Sequence, residues 1–441
     1  MNTMIKEFSR KYALLFALFV SVLIISVLPV SCNKEQTLEK KYGIKNYSAV
    51  YFQNGSADFS HYGKETDENT IFELGSCGKT VAAYTALAMG DEGKLNLDQK
   101  IKPYLSSSLI TEDLRLDEIT LKQLLCHTAG FSPSYELGID KKIYSDPGKE
   151  FRYSGVVYIY LQNVIENAGG MTFEQAASHY VFEPLKMKNS TFEHEKTITP
   201  YMNFGNAVLY ALVFFVLAFA LLLVISAVIG KLTKYKFYKF RTAFLFTFFS
   251  AGIINAVALL LIMSKVLVLF VICFAIMGIA LLVARNKQKL FYVCVPVFVA
   301  VLFVLGFTLK VCIPVTNELI PKQPNCAYSL KSTAKDMSLF CNALMEKQKS
   351  SDNAFGSMFV PAVQIDERNS WGLGIAIEAA DNGEITYWHS GINPGAQSLF
   401  VLYPAQNKYA VILTNSDNGL DFSKEKARAF LNFDGDWDIR R

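Results

Sequence analysis

A serine and a lysine three positions apart, Ser76 and Lys79, have the residue types and spacing for acyl-transfer chemistry. If a helix begins near Ser76, the two side chains share a face one turn apart. The Ser76 hydroxyl could then attack a carbonyl while a neutral Lys79 amine takes its proton, and burial favours the neutral amine. Alone the motif is weak, because a helix-capping serine beside a solvated lysine has the same spacing.

Two other interpretations of the segment GSCGKT are weaker. Its ending resembles a phosphate-binding loop, but that loop needs a glycine at position 73, where this chain has Glu73. A carboxylate there would repel a phosphate. The thiol of Cys77 is an alternative nucleophile, but it lies only two residues from Lys79 and so has the wrong helical phase.

Two later motifs supply partners for this pair. Tyr153-Ser154-Gly155 follows a Pro-Gly turn and precedes a helical pattern, and His389-Ser390-Gly391 ends the strand-like run EITYWHSG. The set, in this order, resembles the serine β-lactamase and penicillin-recognising family, within it the branch of class C β-lactamases, D-alanyl-D-alanine carboxypeptidases and esterases. Longer segments also resemble that family: FELGSCGKTVAAYTALAMGDEGKLNLDQKIKPYL, ITLKQLLCHTAGF, PGKEFRYSGVVYIYLQNVIENAGGMTFEQ, VFEPLKMKNSTF and YSLKSTAKDMSLFCNAL.

The resemblance implies a role for each motif position. Ser76 would be the nucleophile and Lys79 its proton acceptor, while Tyr153 would share the base role with its pKa lowered by Lys79. His389 would position the substrate or shuttle a proton. The backbone N–H groups of Ser76 and Ile392 would form the oxyanion hole. The other expected substrate-binding positions are Gly155, Ser390 and Gly391.

Two departures from the family pattern bear on the substrate. Gly155 stands where the second motif usually has an asparagine that grips the substrate amide, and His389 stands where β-lactamases mostly have lysine. Both departures argue against efficient β-lactam hydrolysis and favour an esterase, D-aminopeptidase or carboxypeptidase. His127, which the family motif also has, is expected to hold a loop by hydrogen bonds.

Cysteine and histidine spacing gives no metal-ligand pattern, so we expect no metal site and no cofactor. Four cysteines fall in the segments that resemble the family or beside them. They could form disulfides outside the cytoplasm or remain buried free thiols: Cys77, Cys126, Cys326 and Cys341.

Hydrophobic periodicity predicts strands at both ends of the chain and helices between them. Runs flanking Asn54-Gly55 predict a hairpin, and a helix is predicted from near Ser76 to near Gly93. A further helix is predicted in STAKDMSLFCNALMEKQ, and strands in WGLGIAIE, EITYWHSG, QSLFVLYP and KYAVILTN. The expected fold class is therefore an α/β (α+β) serine β-lactamase-like domain, with an antiparallel sheet from both termini and a helical lobe.

Apolar residues make up 51% of the 441 residues and charged residues 19%, and the apolar excess is concentrated in two places. Residues 1–32 have a basic start, an apolar run and the ending LPVSC. This is typical of a signal sequence that leaves Cys32 to be acylated, or of an uncleaved anchor helix. Residues 206–310 contain four runs near the ~20 residues that span a bilayer: about 207–229, 242–263, 266–284 and 290–309.

Basic residues predict how these runs are oriented. The breaks KLTKYKFYKFR and RNKQK favour the cytoplasmic side, so residues 33–205 and 311–441 would both lie outside as two halves of one domain. The net charge of +4 is concentrated beside apolar runs. It leaves no separate basic face for nucleic acid.

The sequence thus predicts a membrane-bound, extracytoplasmic serine hydrolase interrupted by a four-helix transmembrane insertion. Expected substrates are small amides, esters or peptides, including D-amino-acid peptides of the cell wall. Expected partners are membrane lipid and a membrane protein. Two alternatives stay open: a sensor of β-lactams or cell-wall fragments that signals through the helices, and a catalytically weak binding module.

Overall fold

The computed structural model describes residues 37–64, 66–133, 140–193, 197–203, 312–314, 324–349 and 354–439. The predicted signal or anchor and the four predicted membrane spans lie outside these residues. Among the helices within them, none combines the length and apolar character that crossing a membrane requires. The chain divides into two compact units, Met1–Lys41 and Tyr42–Arg441.

Twelve strands occur in the described residues. Their bounds are β1 Tyr47–Gln53, β2 Ser56–Tyr62, β3 Phe72–Gly75, β4 Tyr201–Asn203, β5 Cys312–Pro314, β6 Leu330–Ser332, β7 Val363–Gln364, β8 Asn369–Trp371, β9 Ala376–Ala379, β10 Ile385–Asn393, β11 Ala396–Tyr403 and β12 Lys408–Thr414.

The α-helices of the same residues are α1 Leu38–Tyr42, α2 Gly78–Asp91, α3 Leu121–Leu125, α4 Gly155–Gly169, α5 Phe173–Ala177, α6 Glu183–Leu185, α7 Ala334–Gln348 and α8 Gly419–Leu431. Short 3₁₀ turns occupy Lys102–Tyr104, Ser107–Leu109, Leu114–Glu118, Gly356–Phe359 and Pro404–Gln406, and a π-helical turn occupies Ser178–Phe182.

Eight of the strands form one antiparallel sheet in the order β2-β1-β12-β11-β10-β9-β8-β7. The early strand β1 pairs with the late strand β12, with Tyr47 opposite Thr414. The predicted antiparallel sheet from both ends of the chain is therefore confirmed. The predicted hairpin is confirmed as well, because Asn54 and Gly55 both have positive φ (52° and 79°), as a two-residue hairpin turn requires. Helix α8 packs on β11 and β12.

Two sequence predictions need correction in detail. The run WGLGIAIE is two strands rather than one: β8 ends at Trp371, and β9 begins at Ala376 after a turn that contains Gly374 at φ 77°. A glycine with left-handed φ ends a strand, and periodicity alone does not reveal it. Helix α2 begins at Gly78, two residues after Ser76, and Cys77 occupies its N-cap position without a side-chain capping bond.

Helix α2 is buried on nearly all of its faces. A helix that is apolar around its whole circumference forms the centre of a domain rather than its surface. Strand β3 leads directly into it through the turn at Ser76 and Cys77. The serine therefore sits at the junction between a strand and the central helix, which holds it in a fixed position.

Candidate active site

Ser76 occupies the turn between β3 and α2. The N–H of Cys77 donates to the carbonyl of Leu74 at 3.2 Å, and the N–H of Lys79 donates to the carbonyl of Ser76 at 3.0 Å. These bonds tighten the turn, so that Ser76 and Lys79 remain one turn apart although α2 begins only at Gly78.

Lys79 is the buried cation of the site. Its Nζ lies 2.8 Å from Ser76 Oγ and donates to the carbonyl of Ala327 at 2.6 Å. The residue is only 2% exposed, and Nζ stands 5.1 Å from the ring centroid of Tyr153 and 5.6 Å from that of Tyr158. Burial penalises the charged amine and lowers the pKa of Lys79 to about 7. Near neutral pH a substantial fraction of this amine is therefore free to accept a proton.

We expect kcat/KM for an activated ester to rise with pH along a limb centred near 7. The base form of Lys79 is the neutral amine, and its lowered pKa of about 7 brings that form into range. His389, with a pKa of about 3, does not titrate in this window. Rates measured between about pH 5.5 and 9 test this. A flat profile would show that Lys79 is not the group whose deprotonation limits the rate.

Tyr153 lies beside both residues, and its hydroxyl is hydrogen-bonded to the Ser76 side chain. The expectation that Lys79 lowers the pKa of this phenol is wrong. Burial raises the pKa of Tyr153 above its ordinary value, and the bond to Ser76 offsets only part of that effect. Tyr153 is thus a protonated hydrogen-bonding group at neutral pH, and the group with base character is Lys79.

His389 lies on β10 and is 3% exposed. Its Nδ1 is 2.7 Å from the carbonyl oxygen of Ser390, and because a carbonyl only accepts, Nδ1 carries the proton. Burial, with Lys79 nearby, lowers the pKa of His389 to about 3, so the ring is neutral. Its Nε2 is a buried acceptor without a hydrogen-bond partner among the described residues. The ring meets Trp371 edge-on at 5.4 Å.

Strand β10 approaches β3 very closely at Gly391. A Cβ on Gly391 would stand 1.8 Å from the carbonyl oxygen of Leu74, so only glycine fits. A Cβ on Gly75 would stand 2.8 Å from the backbone nitrogen of Ile392. The Ile392 N–H is thus next to the turn that carries Ser76. The Ile392 N–H therefore lies near the residue that precedes Ser76, and its role as an oxyanion-hole donor stays a prediction.

The second motif mainly builds the structure around the site. The Ser154 hydroxyl caps α4 by accepting from the N–H of Val157 at 3.1 Å, and it donates to the carbonyl of Ser132. Gly155 is buried at the first turn of α4 and donates its N–H to the carbonyl of Pro133 at 3.1 Å. Gly155 and Gly391 are not among the described residues that line the pocket at Ser76.

His127 packs against the ring of Tyr153. Its Nδ1 accepts the N–H of Ser154 at 3.1 Å, its carbonyl accepts the N–H of Arg152 at 2.8 Å, and its ring stacks obliquely on Tyr153 at 4.5 Å and on Tyr158 at 5.0 Å. Burial keeps the pKa of His127 well below its ordinary value, so it packs as a neutral ring. These two hydrogen bonds hold the backbone on both sides of Tyr153, the loop-holding role that the sequence predicted.

A pocket of about 880 Å³ opens at Ser76. Five of the predicted site residues line it: Ser76, Tyr153, His389, Ser390 and Ile392. Sequence reasoning missed most of its other lining, which comes from three separate segments: Lys149, Glu150, Phe151 and Arg152; Val363, Gln364, Ile365 and Trp371; Asp438 and Ile439. A pattern in a single sequence does not reveal such a wall, because nothing in these types or spacings points to a site.

Four cysteines, Cys77, Cys126, Cys326 and Cys341, are buried free thiols. Cys77 faces away from the attack position, with its Sγ 3.4 Å from the carbonyl of His389 and 3.2 Å from Ser398 Oγ. Burial raises the pKa of Cys77 to about 12. The thiolate, which is the reactive form, is therefore scarce, and Ser76 is the better placed nucleophile.

Comparison with known proteins identifies the family of the chain. The family profile described as Beta-lactamase matches residues 33–201 and 314–432. Protein flp of Staphylococcus aureus (strain MW2) is 26% identical over 160 residues, 32% of this chain and 31% of that protein. Teichoic acid D-alanine hydrolase of S. aureus (strain MRSA252) is 25% identical over 179 residues, 36% of this chain and 44% of that protein.

The matches thus span less than half the length of these two curated relatives. Among solved structures, the β-lactamase/D-alanine carboxypeptidase from Pseudomonas syringae superposes with a TM-score of 0.57 at 14% identity. The superposition covers 90% of this chain and 96% of that one. At that identity the likeness concerns the fold. The profile match covers well over half of the residues, and the chain belongs to the beta-lactamase family.

Proposed function

We propose that the protein is a serine hydrolase that cleaves small esters and amides through an acyl-enzyme on Ser76. The observation that carries the proposal is the 2.8 Å contact between Ser76 Oγ and a buried Lys79 amine whose pKa is about 7. A serine hydroxyl is a weak nucleophile until an adjacent base takes its proton. Ser76 and Lys79 supply the nucleophile and the base within one turn of the chain.

The reaction would proceed in two steps. In acylation, Ser76 Oγ gives its proton to the neutral Lys79 Nζ and bonds to the substrate carbonyl carbon. The carbonyl oxygen becomes negatively charged, and the N–H groups of Ser76 and Ile392 stabilise that charge. The tetrahedral species then expels the leaving group, which receives that proton by way of the Tyr153 hydroxyl. In deacylation, water repeats the sequence and releases the acid and free Ser76.

The electrostatics of the site favour particular substrates. His389 lines the pocket as a neutral ring, and its unprotonated Nε2 is a buried acceptor without a partner among the described residues. A substrate group that donates a hydrogen bond, such as an ammonium or hydroxyl, suits this atom better than the carboxylate of a β-lactam. The name of one relative, teichoic acid D-alanine hydrolase, describes a D-alanyl substrate, which carries such an ammonium. We therefore propose D-amino-acyl esters and amides as the substrate class.

The proposed location is outside the cell, on a membrane. This part of the proposal rests on the apolar runs of residues 1–32 and 206–310 and on the basic breaks between them. Its substrates would be small molecules or peptides, and its surroundings lipid and a membrane protein partner.

Covalent labelling tests the proposal directly. The full chain, purified in detergent, is treated with a fluorophosphonate or a fluorescent penicillin, and the adduct is mapped by mass spectrometry. We expect the adduct on Ser76, none in Ser76→Ala, and full labelling in Ser107→Ala, which changes an exposed serine. Unchanged labelling of Ser76→Ala, or no adduct with either probe in a folded sample, would contradict the proposal.

A further inference from the structure

The pocket at Ser76 is bounded on one side by residues 433–439, which we name the wall segment. This segment follows α8 and lies beyond residue 432, where the family match ends. Two of its residues, Asp438 and Ile439, line the Ser76 pocket. No sequence motif predicted a role for it. Its placement raises the question of what it does to the substrate.

The wall segment is held by a buried carboxylate. Glu378 on β9 is 1% exposed, and its two oxygens accept the N–H groups of Asp436 and Trp437, each at 2.8 Å. A buried carboxylate that receives two backbone N–H groups is a strong anchor, because charge-assisted hydrogen bonds exceed neutral ones in strength. The backbone of the wall segment is therefore fixed against β9 at Asp436 and Trp437.

Trp437 is the second anchor. Its side chain is fully buried, its Nε1 donates to Thr386 Oγ1 on β10 at 3.1 Å, and its ring stacks on Phe433. Its φ is 44°, a conformation that a bulky L residue adopts only when surrounding contacts hold it. The segment is thus locked just before the two residues that reach the pocket.

Asp438, one of the two residues at the pocket, is also tied to α8. Lys424, which is 5% exposed, donates to Asp438 Oδ2 at 3.0 Å and lies 3.8 Å from Asp436. A buried lysine needs a paired carboxylate, so this contact fixes where Asp438 stands.

A second cavity, of about 610 Å³, lies on the other side of these residues. Asp438 and Ile439, together with Ile365, line both cavities and therefore form the boundary between them. The rest of the second cavity's lining is mostly acidic: Asp366, Glu367, Arg368, Asn369, Glu378 and Asp436.

We propose that the wall segment sets the length of substrate that the Ser76 pocket accepts, with Asp438 and Ile439 as specificity-determining residues. The inference rests on the proposed hydrolase function and adds the substrate's size to it. Esters and amides short enough to end before Asp438 and Ile439 are accepted. A longer substrate contacts Asp438 and Ile439, and removal of these two residues joins the two cavities. Because the second cavity is acidic, a longer chain with a positive end gains most from that removal.

Two truncations of the full chain form a matched pair. A stop after Trp437 removes Asp438 and Ile439 but keeps every bond to Glu378 and Thr386. A stop after Ile439 removes only the two residues beyond the boundary. Each is assayed on p-nitrophenyl esters from acetate to decanoate, on a quaternary-ammonium ester of matched length, and on acetates of lengthening alcohols.

We expect the stop after Trp437 to raise kcat/KM for long esters about tenfold in at least one series, the scale of a single methylene in an apolar pocket. Acetate should change less than about twofold. The stop after Ile439 should match the full chain. Ile439→Ala, which keeps the Lys424–Asp438 pair, should show a smaller gain of the same kind, so a folding defect of the truncated chain does not block the test.

The outcomes separate the two proposals. If the full chain hydrolyses no ester, the proposed function is wrong. A second outcome is that the full chain hydrolyses short esters while neither the folded truncation nor Ile439→Ala changes the length preference in either series. In that case the hydrolase proposal stands, and the proposal that the wall segment sets substrate length is wrong.

Discussion

Replacing Lys79 by methionine is expected to lower kcat/KM for an ester by roughly 10³-fold or more, close to the loss for Ser76→Ala. The methionine keeps the length of the side chain but has no amine to take the Ser76 proton. Because the two residues act as one unit across 2.8 Å, the double variant should be little worse than either single variant. The measurement is kcat/KM for the three variants on one substrate.

Stability distinguishes this loss from unfolding. Lys79 is buried, and burial disfavours its charged form. An apolar replacement removes that cost but also the hydrogen bond to the Ala327 carbonyl, so the free energy of unfolding should fall by no more than about 3 kcal/mol. Lys100→Met provides the control, because this lysine forms an exposed ion pair with Glu118 at 2.8 Å whose removal should change little. A Lys79→Met variant that keeps wild-type activity would exclude Lys79 as the base.

The motifs and their order along the sequence predict much of the site, because the acyl-transfer chemistry requires particular residue types. Nucleophile, base and neighbouring phenol must be serine, lysine and tyrosine in this arrangement, and the structure brings Ser76, Lys79 and Tyr153 within contact of one another. The roles given to these residues stay predictions. The sheet was predictable for a similar reason, since short and nearly continuous apolar runs mark β11 and β12, which are buried along almost their whole length.

The sequence could not predict how deeply each site residue is buried or which distant segments surround it. The pKa of Tyr153 was predicted to fall near a cation, yet desolvation decides its direction, and desolvation depends on side chains from distant segments. The break between β8 and β9 depends on Gly374, where a Cβ would stand 2.1 Å from that of Ala83 on α2. The wall formed by Asp438 and Ile439 depends on anchors at Glu378, some sixty residues earlier in the chain.

Gly391→Ala is expected to damage both stability and catalysis. The new Cβ would stand 1.8 Å from the Leu74 carbonyl oxygen, which Ser398 Oγ already approaches to 2.8 Å, so backbone must move. Forcing atoms into a packed region costs about 3 kcal/mol of unfolding free energy. Moving β10 away from β3 also separates the Ile392 N–H from the turn of Ser76. Loss of one oxyanion donor lowers rates by about 10²-fold.

Gly383→Ala is the control that separates the effect of the steric clash at Gly391 from the effect of adding a methyl group to a glycine of the same sheet region. Gly383 lies in the turn before β10 with φ 82° and nothing within 4 Å of its new Cβ. That variant suffers left-handed strain of about 1 kcal/mol but no clash, and its kcat/KM should stay close to that of the unmodified chain. Denaturant unfolding gives the stabilities, and kcat/KM measured below both transitions gives the catalytic effect. Equal activity in the two variants would mean that the contact between β10 and β3 does not position the oxyanion donors, and that the site tolerates a displaced Ile392.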